Sequence, residues 1–161
     1  MGRHVKSLPL VGPQGGLQMK IRVLIIDDEK EFLDVLAERL ENRGFSVVKA
    51  LDGDEGVGML RDTDVDVVVL DVLMPGKDGI STLREIKTLK PLVEVIMFTG
   101  HATVETAVKG MEMGAFDYLM KPTENRELIE KIVNAYVRKS EHEMRIRNAE
   151  IKRILLAQTE E

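Results

Sequence analysis

Cysteine is absent from the 161 residues. That excludes disulfide staples, thiolate metal sites and thiol nucleophiles, and it fits a reducing compartment such as the cytoplasm. Long apolar runs are also missing. None approaches the roughly 18 residues of a membrane span, and the best candidate, Asp66 to Leu73, is interrupted by Asp71. Aromatics make up only 4% against 32% charged residues, which suits a well-solvated surface around one core drawn from a 43% apolar fraction. Basic excess is lacking too. A formal charge of −5 argues against broad nucleic-acid affinity, which needs clustered Lys and Arg. The N-terminus does not read as a signal peptide. Arg3, His4 and Lys6 are basic, but Leu8-Pro9-Leu10-Val11 is shorter than the usual apolar stretch. Gly12-Pro13-Gln14-Gly15-Gly16 has linker composition and Met19 would be a natural start. We therefore expect residues 1–18 to be disordered, as an upstream extension or an expression remnant of no structural weight.

From Lys20 onward, short β-branched runs alternate with segments of helical period. Ile21 to Ile26 is too apolar for a half-exposed strand and suits a central parallel one. Phe32, Val35, Leu36 and Leu40 are spaced as one helix stripe, closed by Arg43-Gly44. Strands are expected at Phe45 to Ala50, Val65 to Leu70, Val93 to Phe98 and Ala115 to Met120. Helices are expected from Asp52 to Leu60, around Ile80, Leu83 and Ile86, with Val104, Ala107, Val108 and Met111 on one face, and from near Thr123 or Glu124 onward. Five strands alternating with five helices in about 115 residues predict an α/β fold with an open, doubly wound parallel sheet, not an eight-stranded barrel. The chain is long enough for one such domain and appendages.

In such sheets ligands bind outside the carboxyl ends of the strands. The residues there are Asp27-Asp28-Glu29 after the first run, Asp71 after the third, Thr99 after the fourth and Lys121-Pro122 after the fifth. One acid at a strand end is usually a helix cap; acids, a hydroxyl and an ammonium converging from four strands are chemistry. Crowding Asp27, Asp28 and Asp71 raises at least one carboxyl pKa and costs stability. A hard divalent ion relieves that cost, and Mg²⁺ takes few carboxylates and leaves positions for phosphate oxygens. A carboxylate can accept a phosphoryl group as a mixed anhydride, and the transfer needs mainly positioning and neutralisation of oxygen charge. Asp71, alone at the end of the most apolar strand, is the best nucleophile; the adjacent Asp27 and Asp28 suit metal. Lys121 and the Thr99 hydroxyl can each cover a phosphoryl oxygen, and Gly100 leaves the approach open. Two other readings compete. A metal-dependent phosphohydrolase generally carries a second acid two residues after its nucleophile, and here that position is Leu73. A DNA-binding factor would need a recognition-helix unit after Lys121-Pro122, and none is visible.

The acidic pair Asp27-Asp28, the run from Asp71 through Met74-Pro75-Gly76-Lys77-Asp78-Gly79, then Thr99-Gly100 and Lys121-Pro122 together resemble the receiver domains of two-component response regulators. The likeness covers roughly Lys20 to Val137. It implies a flavodoxin-like (βα)5 fold of strand order 2-1-3-4-5, with Asp71 as phosphoacceptor for a histidine kinase. It also implies Mg²⁺ on Asp28, Asp71 and the Leu73 main-chain carbonyl, with Asp27 acting through water. Thr99 would be the switch hydroxyl, Tyr118 the switch aromatic turning inward on activation, and Lys121 the phosphate-binding lysine before a cis peptide. The fourth helix, fifth strand and fifth helix would form the face that re-packs. Such a domain supports its own phosphorylation and dephosphorylation without being a turnover enzyme. Thr123 stands where the family often has an aromatic or apolar residue, and we expect it to cap the next helix. His101 is expected to affect dephosphorylation. The stretch from Thr99 to Val108 looks most like nitrogen-regulator receivers, which normally precede ATPase and DNA-binding domains.

Residues 19–138 are thus read as a receiver and 139–161 as a helical extension. Proline and glycine are absent from Glu124 to about Leu156, which predicts one long helix. Val133, Val137, Met144, Ile151 and Ile154 share a heptad seam with Ser140 and Arg147, a partial coiled-coil pattern. Arg138, Lys139, Arg145, Arg147, Lys152 and Arg153 interleave with Glu141, Glu143 and Glu150, as on a solvated helix and unlike a nucleic-acid stripe. The extension is expected to mediate dimerisation or docking of an output partner, with no membrane contact.

Overall fold

A computed structural model describes residues 10–11, 17–18, 20–74, 78–100 and 103–160. Its central sheet has five parallel strands: β1 (Arg22–Ile26), β2 (Ser46–Ala50), β3 (Val67–Leu70), β4 (Glu94–Thr99) and β5 (Asp117–Met120), in the order β2-β1-β3-β4-β5. The helices are α1 (Lys30–Asn42), α2 (Gly53–Asp62), α3 (Gly79–Leu89), α4 (Val104–Glu112) and α5 (Asn125–Ala157). This is the expected doubly wound sheet with its long last helix. Leu10–Val11 and Leu17–Gln18 pair antiparallel, a local pairing in a segment where the sequence pointed to no regular structure.

Strand alternation splits the core in two. Leu24, Ile26, Val68, Leu70, Val95 and Met97 face Val57 and Leu60 of α2 and Leu83 and Ile86 of α3. Val23, Ile25, Val67, Val69, Ile96 and Phe98 face Leu33, Leu36, Ala37 and Leu40 of α1 and Leu128, Ile132 and Ala135 of α5. Because both faces are buried, a one-residue slip of any central strand would exchange its two sets of contacts, so the register is firmly specified. The registers carry the strand ends to one rim: Ile26 lies level with Ala50 and Leu70, Leu70 with Met97, and Thr99 with Met120. Gly44 closes α1 at φ +95, where its lack of a Cβ is needed.

Two helix readings need correction and a third, the face of α4, needs completing. The buried stripe of α1 is Leu33, Leu36, Ala37 and Leu40, while Val35 is exposed and Phe32 sits on the shoulder. On α4 the residue that goes inward is Gly110, whose missing side chain makes room for Met97; Val104, Val108 and Met111 face solvent instead. The cap of α5 falls on Glu124, without a side-chain bond, and the Thr123 hydroxyl donates instead to Glu127 Oε1 at 2.6 Å.

A further correction concerns Arg138 and Lys139, which are more than solvated helix. At the pole opposite the acid-lined rim, Asp66 is buried and accepts from Arg22 N, Nε and Nη2 at 2.9, 3.1 and 2.8 Å and from Lys139 Nζ at 3.1 Å. Burial opposes its charge, but the Arg22 bonds and the Lys139 charge outweigh that and hold Asp66 below the usual carboxylate range. Next to it Arg138 Nε reaches buried Glu94 at 3.1 Å. Two consecutive basic residues of α5 thus grip the base of the sheet, and the helix runs unbroken past the boundary expected at residue 138.

Candidate functional site

The parallel ladder does not stop at the last strand residues. Asp27 N donates to Ala50 O, Asp71 N to Ile26 O and Lys121 N to Thr99 O, at 3.1, 2.9 and 2.9 Å. The backbone carrying each polar side chain is therefore fixed by the same hydrogen bonds that build the sheet. Asp27, Asp71 and Thr99 are all buried; Asp28 is exposed at the mouth. The Lys121-Pro122 peptide is cis, as expected.

Carboxylate oxygens of Asp27, Asp28 and Asp71 lie within 4.8 Å of one another. Around them two backbone amides turn inward: Glu29 N donates to Asp27 Oδ1 at 2.9 Å and Leu73 N to Asp71 Oδ1 at 3.3 Å. Lys121 Nζ bonds Asp27 Oδ2 at 2.6 Å, with Glu29 Oε1 at 3.5 Å and Asp71 Oδ2 at 3.8 Å. Burial works against the ammonium, but the Asp27 hydrogen bond and the fields of Asp27, Asp71 and Glu29 outweigh it and raise the Lys121 pKa. Burial pushes the Asp27 carboxyl up, and Lys121 and the Glu29 amide offset only part of that. Among the described residues one nearby ammonium, that of Lys121, serves several acids, which leaves these groups with negative charge to spare. An all-oxygen donor set of this charge suits a hard divalent cation.

The cleft above these groups has a volume of about 500 Å³ and is lined by Asp28, Glu29, Asp71, Leu73, Met74, Gly100 and Lys121. Leu73, at the position where a hydrolase would carry its second acid, is an exposed side chain on that wall. Tyr118 is half-buried against the α2–α3 core, and its hydroxyl has no hydrogen-bond partner among the described residues. His101 lies outside the described residues.

Three contributions escaped the sequence reading. Glu29 was noticed only as a strand-end acid, yet it faces Lys121. Gly79, quoted as part of a motif, lets the start of α3 pack directly on the backbone of Asp71 and Val72: a Cβ there would lie 2.3 Å from Val72 Cα and 2.8 Å from Asp71 O. Phe32 and Phe98 flank Lys121. The only signal for Phe32 was its place one helical turn after Asp28.

Comparison with known proteins agrees with this geometry. Residues 23–133 match the model of the response regulator receiver domain. The transcriptional regulatory protein CpxR of Klebsiella pneumoniae is 41% identical over 119 residues, 74% of this chain and 50% of that protein, so the chain spans about half the length of the curated relatives it matches. The crystal structure of NtrX from Brucella abortus in complex with ADP superimposes with a TM-score of 0.72 at 32% identity, covering 78% of this chain and 29% of that one. A response regulator protein from Burkholderia pseudomallei, solved with a phosphorylated aspartic acid, calcium ion and citrate, gives 0.68 at 26% identity, covering 88% and 87%. The carboxylate triad, the lysine beside it and the 2-1-3-4-5 sheet thus accompany a family match over most of the chain: the chain belongs to the response regulator receiver domain family.

Proposed function

We propose that Asp71 accepts a phosphoryl group from a histidine kinase, and that the change is read at the surface made by α4, β5 and α5. An Asp71 carboxylate oxygen attacks phosphorus as the bond from phosphorus to the donor imidazole nitrogen breaks. That nitrogen keeps the electron pair, and Asp71 becomes a mixed carboxylic–phosphoric anhydride. Asp28, Asp71 and the Leu73 main-chain carbonyl would hold Mg²⁺ directly, with Asp27 acting through water. Bound there, the ion supplies charge neutralisation for phosphoryl oxygens. Lys121 covers a second oxygen and the Thr99 hydroxyl a third. The supporting observation is the triad itself, three carboxylates within 4.8 Å with an ammonium 3.8 Å from Asp71.

Thr99 and Tyr118 then act as the switch. The surface they lie beneath carries exposed Val104, Val108, Met111 and Met120, which suits an output domain, a protein partner or a second copy of the chain. In this reading residues 19–138 form the receiver and 139–161 its extension. The domain works in the cytoplasm and does not turn over substrate; among the described helices none is long and apolar enough to cross a membrane. The test is incubation with acetyl phosphate and Mg²⁺ followed by intact mass. One added phosphoryl is expected, lost in Asp71→Asn and lost when Mg²⁺ is removed with a chelator. A phosphoryl group that persists in Asp71→Asn overturns the assignment.

A further inference from the structure

Lys121 has acids on one side and aromatic faces on the other. Its Nζ lies 4.1 Å from the Phe32 ring centroid and 5.8 Å from that of Phe98, and the two rings meet at 5.9 Å with a 49° tilt. The chain has four Phe, two Tyr and no Trp, so two of its six Phe and Tyr rings lie against this ammonium. They come from different elements: Phe32 from the first turn of α1, Phe98 from β4 beside Thr99, and Lys121 from the end of β5. A cation within about 6 Å of a ring face is attracted by the ring quadrupole, and more so where water is excluded. The Lys121 side chain is only 12% exposed. Its flexible stem would otherwise sample many rotamers.

We propose that Phe32 is a positioning residue for the phosphoryl reaction: its ring face seats the Lys121 ammonium within reach of Asp71, so that the cation stands ready when the phosphoryl group arrives. This rests on the reading of Asp71 as phosphoacceptor. Phe32 is only partly buried at the margin of the α1–α5 core, so an aliphatic side chain would fill much of the same space. What leucine cannot supply is the negative ring face. Nor can the acids replace it, because Asp27 draws the ammonium toward itself at 2.6 Å, closer than the 3.8 Å to Asp71.

The experiment compares the full chain with Phe32→Leu and Phe32→Tyr, each with acetyl phosphate and saturating Mg²⁺, scored by intact mass over time. In Phe32→Leu the rate at saturating acetyl phosphate should fall about thirtyfold, in line with the strength of a desolvated cation–π contact. Phe32→Tyr, which keeps the ring, should restore it to within about twofold. Proton NMR checks the seating itself: the Lys121 ε-methylene signals should lie upfield through the ring current in the wild type and in Phe32→Tyr, while the rate rescue by Phe32→Tyr and not by leucine separates positioning from simple packing. Equal rates for wild type and Phe32→Leu, or equal slowing in both variants, overturn the proposal. A wild-type chain that takes no phosphoryl group overturns the Asp71 assignment and this inference with it, so the two failures are told apart by the wild-type arm.

Discussion

Tyr118 illustrates how one atom can hold a conformational choice. Its ring belongs to the core under α3, yet its hydroxyl is buried without a partner among the described residues. An unsatisfied buried hydroxyl costs about 1–3 kcal/mol, which an outward rotamer would recover by hydration while losing ring contacts. In the proposed switch role, that penalty would narrow the gap between the two positions. Tyr118→Phe should leave stability unchanged or raise it by about 1 kcal/mol, measured by urea denaturation of the unphosphorylated chain; a clear loss would mean that the hydroxyl has a partner. Residues of this kind were legible in part. Asp27, Asp28, Asp71, Thr99 and Lys121 could be found because strand ends converge in a parallel sheet, so linear position predicts spatial neighbours. Phe32 and Glu29 could not, because which side of a helix start faces a given lysine depends on the helix's rotation against the sheet.

Among the elements, α5 differs from the other helices in where it is held. Arg138 and Lys139 meet two buried acids, Glu94 and Asp66, and removing one partner of a buried ion pair typically costs about 3–5 kcal/mol. Asp66→Ala should destabilise the chain by that amount, leaving Arg22 and Lys139 short of their counter-ion, and hydrogen exchange should rise in the helix around residue 139. The pH dependence has a definite sign. Asp66 titrates below its ordinary range when folded, so its contribution is present above the unfolded pKa of about 3.9 and fades as pH falls through the lower folded value. Denaturation midpoints of wild type and Asp66→Ala should converge in strong acid; a constant gap would remove the ion pair as its cause. The sequence concealed this grip. Basic residues interleaved with glutamates have the pattern of a solvated surface, and only the packing of α5 on the sheet reveals that Lys139 turns inward while exposed Arg138 reaches back to buried Glu94. The mistaken stripe on α1 has a similar origin: Phe32 and Val35 fit the helical period as well as Leu33 and Ala37 do, and one rotation of the helix decides between them.

For the whole molecule, strand order and layering could be expected from alternation and from the family likeness, whereas the rotation of each helix about its own axis could not. Along its outer side and beyond the body, α5 presents Val133, Val137, Met144, Ile151 and Ile154 to solvent, so the expected heptad seam is available to a second copy. Light scattering should give a dimer mass for the full chain and a monomer after removal of residues 141–161; equal masses would assign that surface to another partner. The unbroken course of α5 has a mechanical consequence. From Lys139 to Ala157 a helix rising 1.5 Å per residue extends roughly 27 Å, with its fulcrum at the sheet's base. A tilt of about 5° at that fulcrum sweeps the far end through about 2 Å, so a slight rearrangement in the body arrives at the tip as a displacement the size of a lost or gained contact.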